Sequence, residues 1–350
     1  MAEPEAGLTR RPEVVAPGPA RQGLADGADG RLRTRAAGDG KTDLGEPVIG
    51  VCGLRKSYGE HEVVRGIDIE VRRGEIFAFL GPNGAGKTTT VEILEGYRSR
   101  NAGEVSVLDE DPAAGGSAWR SRIGLVLQSC TMPAELTVRE LVELYAGYYP
   151  HPRPSTETIE LVGLAEKSDA RTKQLSGGQL RRLDVALALI GDPELVFLDE
   201  PTTGFDPSAR HHAWEVIANL RDLGKTIFLT THYMDEAQAL ADRVAVISAG
   251  EIVAEGTPET LGGRDHAMSD ISFALPPHTA LSELPGELAS GASRRDDGRV
   301  HISVPAPARS LYALAGWALE RGEELGDLTV GRPTLEDVYL QLTDGGEPSS

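Results

Sequence analysis

Three short stretches carry residues that could do chemistry on phosphate. GPNGAGKT, residues 81–88, places glycines at its first and sixth positions and ends in a lysine and a threonine. In a loop of this spacing, the backbone of Gly81, Pro82, Asn83, Gly84, Ala85 and Gly86 wraps phosphate closely, because glycines let the chain approach. Lys87 then reaches the outer phosphates, and the hydroxyl of Thr88 can hold Mg²⁺. Thr88 and Thr89 open the following helix, whose positive end adds to the anion site. LVFLDE, residues 195–200, is an apolar run ending in two acids. A buried strand there would deliver Asp199 to a sheet edge, where it can hold Mg²⁺ through water. Glu200 beside it can polarise an attacking water. The third stretch, LSGGQ at 175–179, is a second glycine pair without a lysine of its own. Ser176 and the N–H groups of Gly177, Gly178 and Gln179 would open a helix and form another anion site.

The surrounding pattern supplies elements that can position these stretches. The runs "VIGVCGLRKSYG" and "VVRGIDIEVRRGEIFAFLG" are β-type segments punctuated by glycine, as in an antiparallel layer leading into a buried strand. "TVEILEGY" reads as a helix and "IGLVLQ" (123–128) as a strand, and residues 135–171 read as helical with breaks at Pro150, Pro152 and Pro154. "SGGQLRRLDVALALIGDP" is a helix stopped at Gly191–Asp192–Pro193. "LVFLDEP" and "TIFLTTH" (226–232) have the continuous apolar character of buried parallel strands. "MDEAQALADR" is an amphipathic helix, and "VAVISAGEIVAEG" is a hairpin turning at Ala249–Gly250. Strands alternating with helices imply an α/β domain with a mostly parallel core. After about residue 265 the order strand, strand, helix, strand, helix indicates a small α+β accessory domain. Residues 1–45, rich in Ala, Gly, Pro and Arg without aromatics, read as a disordered tail.

Composition narrows the partners. The 350 residues carry 35 Lys+Arg against 54 Asp+Glu, a net charge of −19 that repels phosphate backbones and argues against nucleic acid. Cys52 and Cys130 are the only cysteines, too few for a disulfide framework. No apolar run approaches the roughly 18 residues of a membrane span, and the N-terminus has no apolar core of a secretory signal.

In the order and spacing of these motifs, residues 47–260 resemble the ATP-binding subunit of ABC transporters. GPNGAGKT resembles its Walker A loop, LVFLDE its Walker B strand, and LSGGQ, ending twenty residues before Asp199, its signature. Gln128 resembles the Q-loop glutamine, a contact of Mg²⁺ and water whose loop meets the membrane subunit. PTTGFDP (201–207) resembles the D-loop, with Phe205 where leucine is commoner. His232 resembles the switch histidine that contacts the γ-phosphate, and Tyr58 the aromatic residue that stacks on adenine. The resemblance implies the P-loop NTPase fold over 46–262, with a helical subdomain at about 129–190 and the accessory domain at 263–345. It implies ATP and Mg²⁺ as cofactors and catalytic roles for Glu200, His232 and Gln128. It also implies a homodimer that sandwiches two ATP molecules, and a separate transmembrane permease holding the chain at the cytoplasmic side of the membrane. "RPTLEDVYLQLTD" (332–344) is similar to the ending of the daunorubicin type of drug-resistance ATPases, pointing to drug or antibiotic efflux; lipid and polysaccharide exporters carry similar ends. A soluble ABC ATPase acting on ribosomes or DNA fits less well, because the chain has one P-loop, one LSGGQ and no long heptad run. Glu200 argues against a regulator without turnover.

Overall fold

The computed structural model describes residues 45–127, 131–264, 266–276, 279–295 and 298–344. The expected N-terminal tail thus lies, except for Gly45, outside the described residues, and so does Gln128. The chain opens with two long strands, β1 (Pro47–Tyr58) and β2 (His61–Arg72), and then β3 (Ile76–Leu80) and α1 (Lys87–Leu94). Next come β4 (Ala102–Val107), α2 (Ser117–Arg120), β5 (Ile123–Val126), α3 (Val138–Ala146), α4 (Ser155–Leu161) and α5 (Gly177–Leu189). The central segment holds β6 (Leu195–Asp199), α6 (Pro207–Asp222), β7 (Thr226–Thr231), α7 (Met234–Leu240), β8 (Arg243–Ser248) and β9 (Glu251–Gly256). The last part holds β10 (Ser269–Ala274), α8 (Glu287–Gly291), β11 (Ala292–Arg294), β12 (Val300–Val304), α9 (Pro307–Arg321), β13 (Gly326–Gly331) and α10 (Leu335–Asp344).

Among the described residues these strands form three sheets, ordered β2-β1-β4, β5-β6-β7-β3-β8-β9 and β11-β12-β10-β13. The first is antiparallel, as the alternating runs imply. In the second, β5, β6, β7, β3 and β8 run parallel and β9 returns antiparallel. Both faces of the parallel sheet are covered, which is why its strands are apolar throughout. Phe77, Phe79, Phe197 and Phe228 face the antiparallel layer. Ile76, Val196, Leu198, Ile227 and Leu229 face the helices on the other side. Phe228 is the hub of the first face, with ring centroids 5.6 Å from Phe77, 5.7 Å from Phe79 and 5.6 Å from Phe197.

Several sequence expectations need correction. The helix expected over TVEILEGY starts earlier, at Lys87, and ends at Leu94. Gly96 then takes φ 77°, which turns the chain out of the helix. The strand expected to run to Gln128 ends at Val126. Residues 135–171 are less helical than expected: Pro150, Pro152 and Pro154 interrupt the chain between α3 and α4, and a single 3₁₀ turn, Ala165–Lys167, follows α4. Helix α6 was not anticipated, although Asp206 caps it by accepting from the Ala209 amide at 2.8 Å and Pro207 is its first residue. The hairpin at Ala249–Gly250 forms as expected, with φ of 48° and 84° at its two turn residues, as a type I′ turn requires.

The third sheet has its own core around Ile271, Phe273, Val300, Ile302 and Leu314. α10 leaves that core. Its Leu335 packs instead with Ala78, Leu80, Ala237 and Leu261, and Tyr339 joins the same cluster. Gly262, at φ 61°, lies under this helix; a Cβ there would meet Val338 Cγ1 at 2.4 Å. Phe228→Ala should remove the hub of the first face and cost about 3–5 kcal/mol. Urea denaturation of the variant against the parent protein measures this directly.

Candidate active site

The phosphate loop is set by two neighbours. β3 is fully buried, so the loop emerges at a fixed point at its C-terminal end. Gly86 then caps α1 at φ 107°, and a Cβ on it would lie 2.9 Å from the Val63 carbonyl of β2. Only glycine meets both conditions. Lys87 is folded back into the loop, its Nζ donating to the carbonyls of Gly81 at 2.6 Å and Pro82 at 3.2 Å. Burial pulls its pKa down, while the carboxylates of Glu200 and Asp199 oppose the shift. The same contacts place both acids in the electrostatic neighbourhood of Lys87. Thr88 is exposed and Thr89 half-buried on the first turn of α1.

Asp199 ends β6 opposite Thr230 of β7. The Thr230 hydroxyl donates to Asp199 Oδ1, fixing the carboxyl orientation. Glu200 follows at φ 46°, a left-handed conformation rare for a residue with a side chain. Its amide donates to the Thr230 carbonyl at 3.0 Å. Its Oε1 lies 3.2 Å from Nδ1 of His232, and its Oε2 accepts from the Thr203 hydroxyl at 3.1 Å. Glu200 and His232, forecast separately from the sequence, are therefore one pair. Tyr58 stands at the β1–β2 turn, 42% exposed, with Lys56 Nζ and Arg98 Cζ each 5.4 Å from its ring centre.

Ser176 caps α5, accepting from the Gln179 amide at 3.3 Å, while its own amide donates to Gln179 Oε1 at 2.9 Å. This capping box orients the free N–H groups outward. Gly177 has nothing within 4 Å of the place a Cβ would take, and Gly178 meets only Ala209 Cβ at 3.8 Å. Among the described residues nothing excludes a side chain there, although glycine costs about 1 kcal/mol relative to alanine within a helix. Ser176, Gly177 and Gly178 line a cavity of about 800 Å³ together with Glu200, Phe205 and Asp206. No residue of the phosphate loop lines it.

Two residues that sequence reasoning passed over organise this region. Arg181, one turn into α5, donates to the carbonyls of Pro201 at 3.1 Å and Asp199 at 2.9 Å, and also to that of Leu127. Its guanidinium pairs with Asp184 at 3.1 Å. Glu236 of α7 is fully buried and accepts from the Thr202 hydroxyl at 2.9 Å and Trp214 Nε1 at 3.1 Å. Burial pushes its carboxyl above the usual range. The only sequence signal for either was a charge on an otherwise apolar helix face.

Comparison with known proteins identifies the family. Residues 64–203 match the family described as ABC transporter, and residues 269–334 the C-terminal domain of ABC transporter domain-containing protein-like chains. The Nod factor export ATP-binding protein I of Rhizobium meliloti (strain 1021) is 39% identical over 317 residues, covering 84% of this chain and 88% of its own. The daunorubicin resistance ATP-binding protein DrrA3 of Streptomyces coeruleorubidus is 38% identical over 313 residues, covering 86% and 97%. This chain is an ATP-binding subunit of the ABC transporter family. As such it is an ATPase. Among solved ABC structures, cbiO1 from Clostridium perfringens, part of the ABC transporter complex cbiONQ, superposes with a TM-score of 0.57 at 26% identity, covering 61% of this chain and 89% of its own. A dimeric post-hydrolysis cassette bound to ADP and Pi shares the fold at 24% identity and a TM-score of 0.54, covering 60% and 98%.

Beside the active site, Glu95 lies just after α1 and is 8% exposed. Burial, reinforced by Asp199 and Glu92, pushes its carboxyl up to about 8. The folded state therefore holds a proton that the unfolded chain releases near the ordinary glutamate value of 4.5. Stability from this group should be full below about pH 4.5 and fall as pH rises towards 8. Glu95→Gln should abolish that fall, so its melting temperature should exceed the parent's by a margin that grows between pH 5 and pH 8. Thermal melts across that range measure the margin.

Proposed function

We propose that this subunit powers an export transporter by hydrolysing ATP in a homodimer bound to a separate membrane permease. The observation that carries the dimer is the signature helix. It presents an anion site whose glycines have open space inside their own chain, in a cavity that none of the chain's own phosphate-loop residues line. A γ-phosphate from a second copy accounts for both facts. In this reading Gly81 to Thr89 hold the phosphates, Tyr58 stacks on adenine, and Ser176 to Gln179 close on the nucleotide of the partner subunit.

Thr88 and Asp199 offer only hard oxygen donors, and Thr230 already orients the Asp199 carboxyl, so the pair suits Mg²⁺. An ion held there would neutralise charge developing on the phosphates. Glu200 orients the water and takes its proton, and His232, beside it, donates to the γ-phosphate oxygens. Gln128, which lies outside the described residues, keeps its proposed place at the metal and water. Lys87 exchanges its bonds to the Gly81 and Pro82 carbonyls for phosphate oxygens.

Among the described residues no helix is long and apolar enough to cross a membrane. The chain is therefore proposed to reach the membrane through its permease. A groove of about 450 Å³ beside Leu127 supports a docking site: Tyr97, Trp119, Tyr145 and Tyr149 line it. Tyr97 is 72% exposed and Leu127 46%, an apolar patch that suits a partner. Export of a drug or antibiotic follows from likeness to the daunorubicin resistance protein. Likeness at equal level to Nod factor export proteins favours, as a second reading, an exported cargo other than a drug.

Glu200→Gln should lower ATP turnover by at least about a hundredfold while ATP binding persists; an unchanged rate would remove Glu200 as the base. Gly178→Asp should abolish turnover and leave ATP binding to the monomer intact, as read by nucleotide titration. A membrane protein encoded by a gene adjacent to this one, tagged and co-expressed, should retain the chain through detergent purification. Failure to do so would overturn the permease assignment.

A further inference from the structure

The docking groove has a feature that its aromatic walls do not explain. Its floor contains two acids, Glu95 and Asp184. Asp184 is neutralised inside the chain by Arg181 at 3.1 Å. Glu92, one turn before Glu95 on α1, is neutralised by Arg98 at 2.5 Å. Glu95 differs from both. It is 8% exposed, and no described residue donates a hydrogen bond to its carboxylate or forms an ion pair with it. Its strongest charged neighbours, Asp199 and Glu92, are acids as well. Arg120, the basic residue that lines the groove, is exposed and makes no ion pair with Glu95.

Alone, Glu95 meets the cost of burial by keeping its proton. A cation entering from outside would displace that proton and pair with the carboxylate, beside aromatic walls that reduce screening. A membrane partner can supply one. Its loops on the cytoplasmic side are enriched in lysine and arginine, and this chain, at net charge −19, attracts them. Resting on the permease reading above, we propose that Glu95 selects the cognate permease by pairing with one arginine or lysine. That residue would sit on an amphipathic segment whose apolar face packs on Tyr97, Tyr145 and Tyr149. The aromatic walls supply contact area common to many partners, and the acid on the floor supplies the choice among them. A permease segment bearing an acid or a bulky apolar residue at that position would be rejected.

The experiment uses the co-expressed complex in detergent, with affinity measured by titrating the purified chain onto immobilised permease. Glu95→Gln should weaken binding by at least about tenfold, the effect of leaving a buried cation unpaired. Glu92→Gln, whose acid already has a partner, should bind as the parent does. Each lysine and arginine of the permease's cytoplasmic loops is then reversed to glutamate in turn. One reversal should abolish binding to the parent chain and regain it with Glu95→Arg. Thermal melts and ATP binding of each variant verify folding. Equal binding by the parent chain and Glu95→Gln would overturn the inference and leave the permease reading standing, as would the absence of any reversal rescued by Glu95→Arg. Failure of the parent chain itself to bind would overturn both.

Discussion

The guanidinium of Arg181 holds together the chain ends that follow two neighbouring parallel strands and the turn beyond them. It bonds the backbone carbonyls of Leu127, Asp199 and Pro201, which follow β5, end β6 and open the turn towards α6. A hydrogen bond from a charged donor contributes about 1.5–3 kcal/mol, and three from one group fix its position as well as its energy. Asp184 balances the charge within the same helix. Removing the arginine would leave that acid buried without a partner, a larger loss than the bonds alone. The left-handed backbone of Glu200 lies between two of these anchored carbonyls. A strained conformation persists only where its surroundings determine it, and here Arg181 on one side and Thr230 on the other do so.

From that anchor the site extends through buried polar contacts rather than through loops. Glu236 ties Thr202 to α7, the helix that begins two residues after His232, and to Trp214 of α6. Arg210 of α6 pairs with Asp235 at 3.0 Å and lies 4.4 Å from the Tyr233 ring centre. The segment that follows Glu200 and the segment carrying the histidine are thus parts of one packed unit. α10 packs against the same α7. Arg264 reinforces that seat, its Nε donating to the Pro333 carbonyl at 3.0 Å and its Nη1 to Gln238 Oε1 at 2.9 Å.

The parts of this design that could be read from the sequence are those whose signal is local. The buried strands declare themselves by uninterrupted apolar runs, since both faces of the sheet are covered. The phosphate loop is legible because backbone geometry demands glycine at fixed spacing, and the signature because a capping serine precedes its glycine pair. Arg181 and Glu236 were not legible: their partners are backbone carbonyls and side chains from distant segments, which no periodicity reveals. α6 had a local signal, Asp206 followed by Pro207, but the same residues also belong to a loop motif, and that reading hid the helix start. Leu335 and Val338 stand three residues apart on α10 and both are buried; that Leu335 packs with Leu80 and Ala237, and not with the sheet of its own small unit, is a tertiary choice outside the pattern.

The open space around Gly177 and Gly178 has a kinetic consequence. An enzyme assembled from two separate halves works at a rate that grows with the square of subunit concentration while the halves are dilute. A permease that holds two copies would replace that dependence with a fixed local concentration, in the millimolar range for closely tethered partners. On the functional reading given above, dispersed subunits would idle, each binding ATP without consuming it. Hydrolysis would be confined to wherever a complete transporter stands, with no inhibitor needed to enforce the restriction.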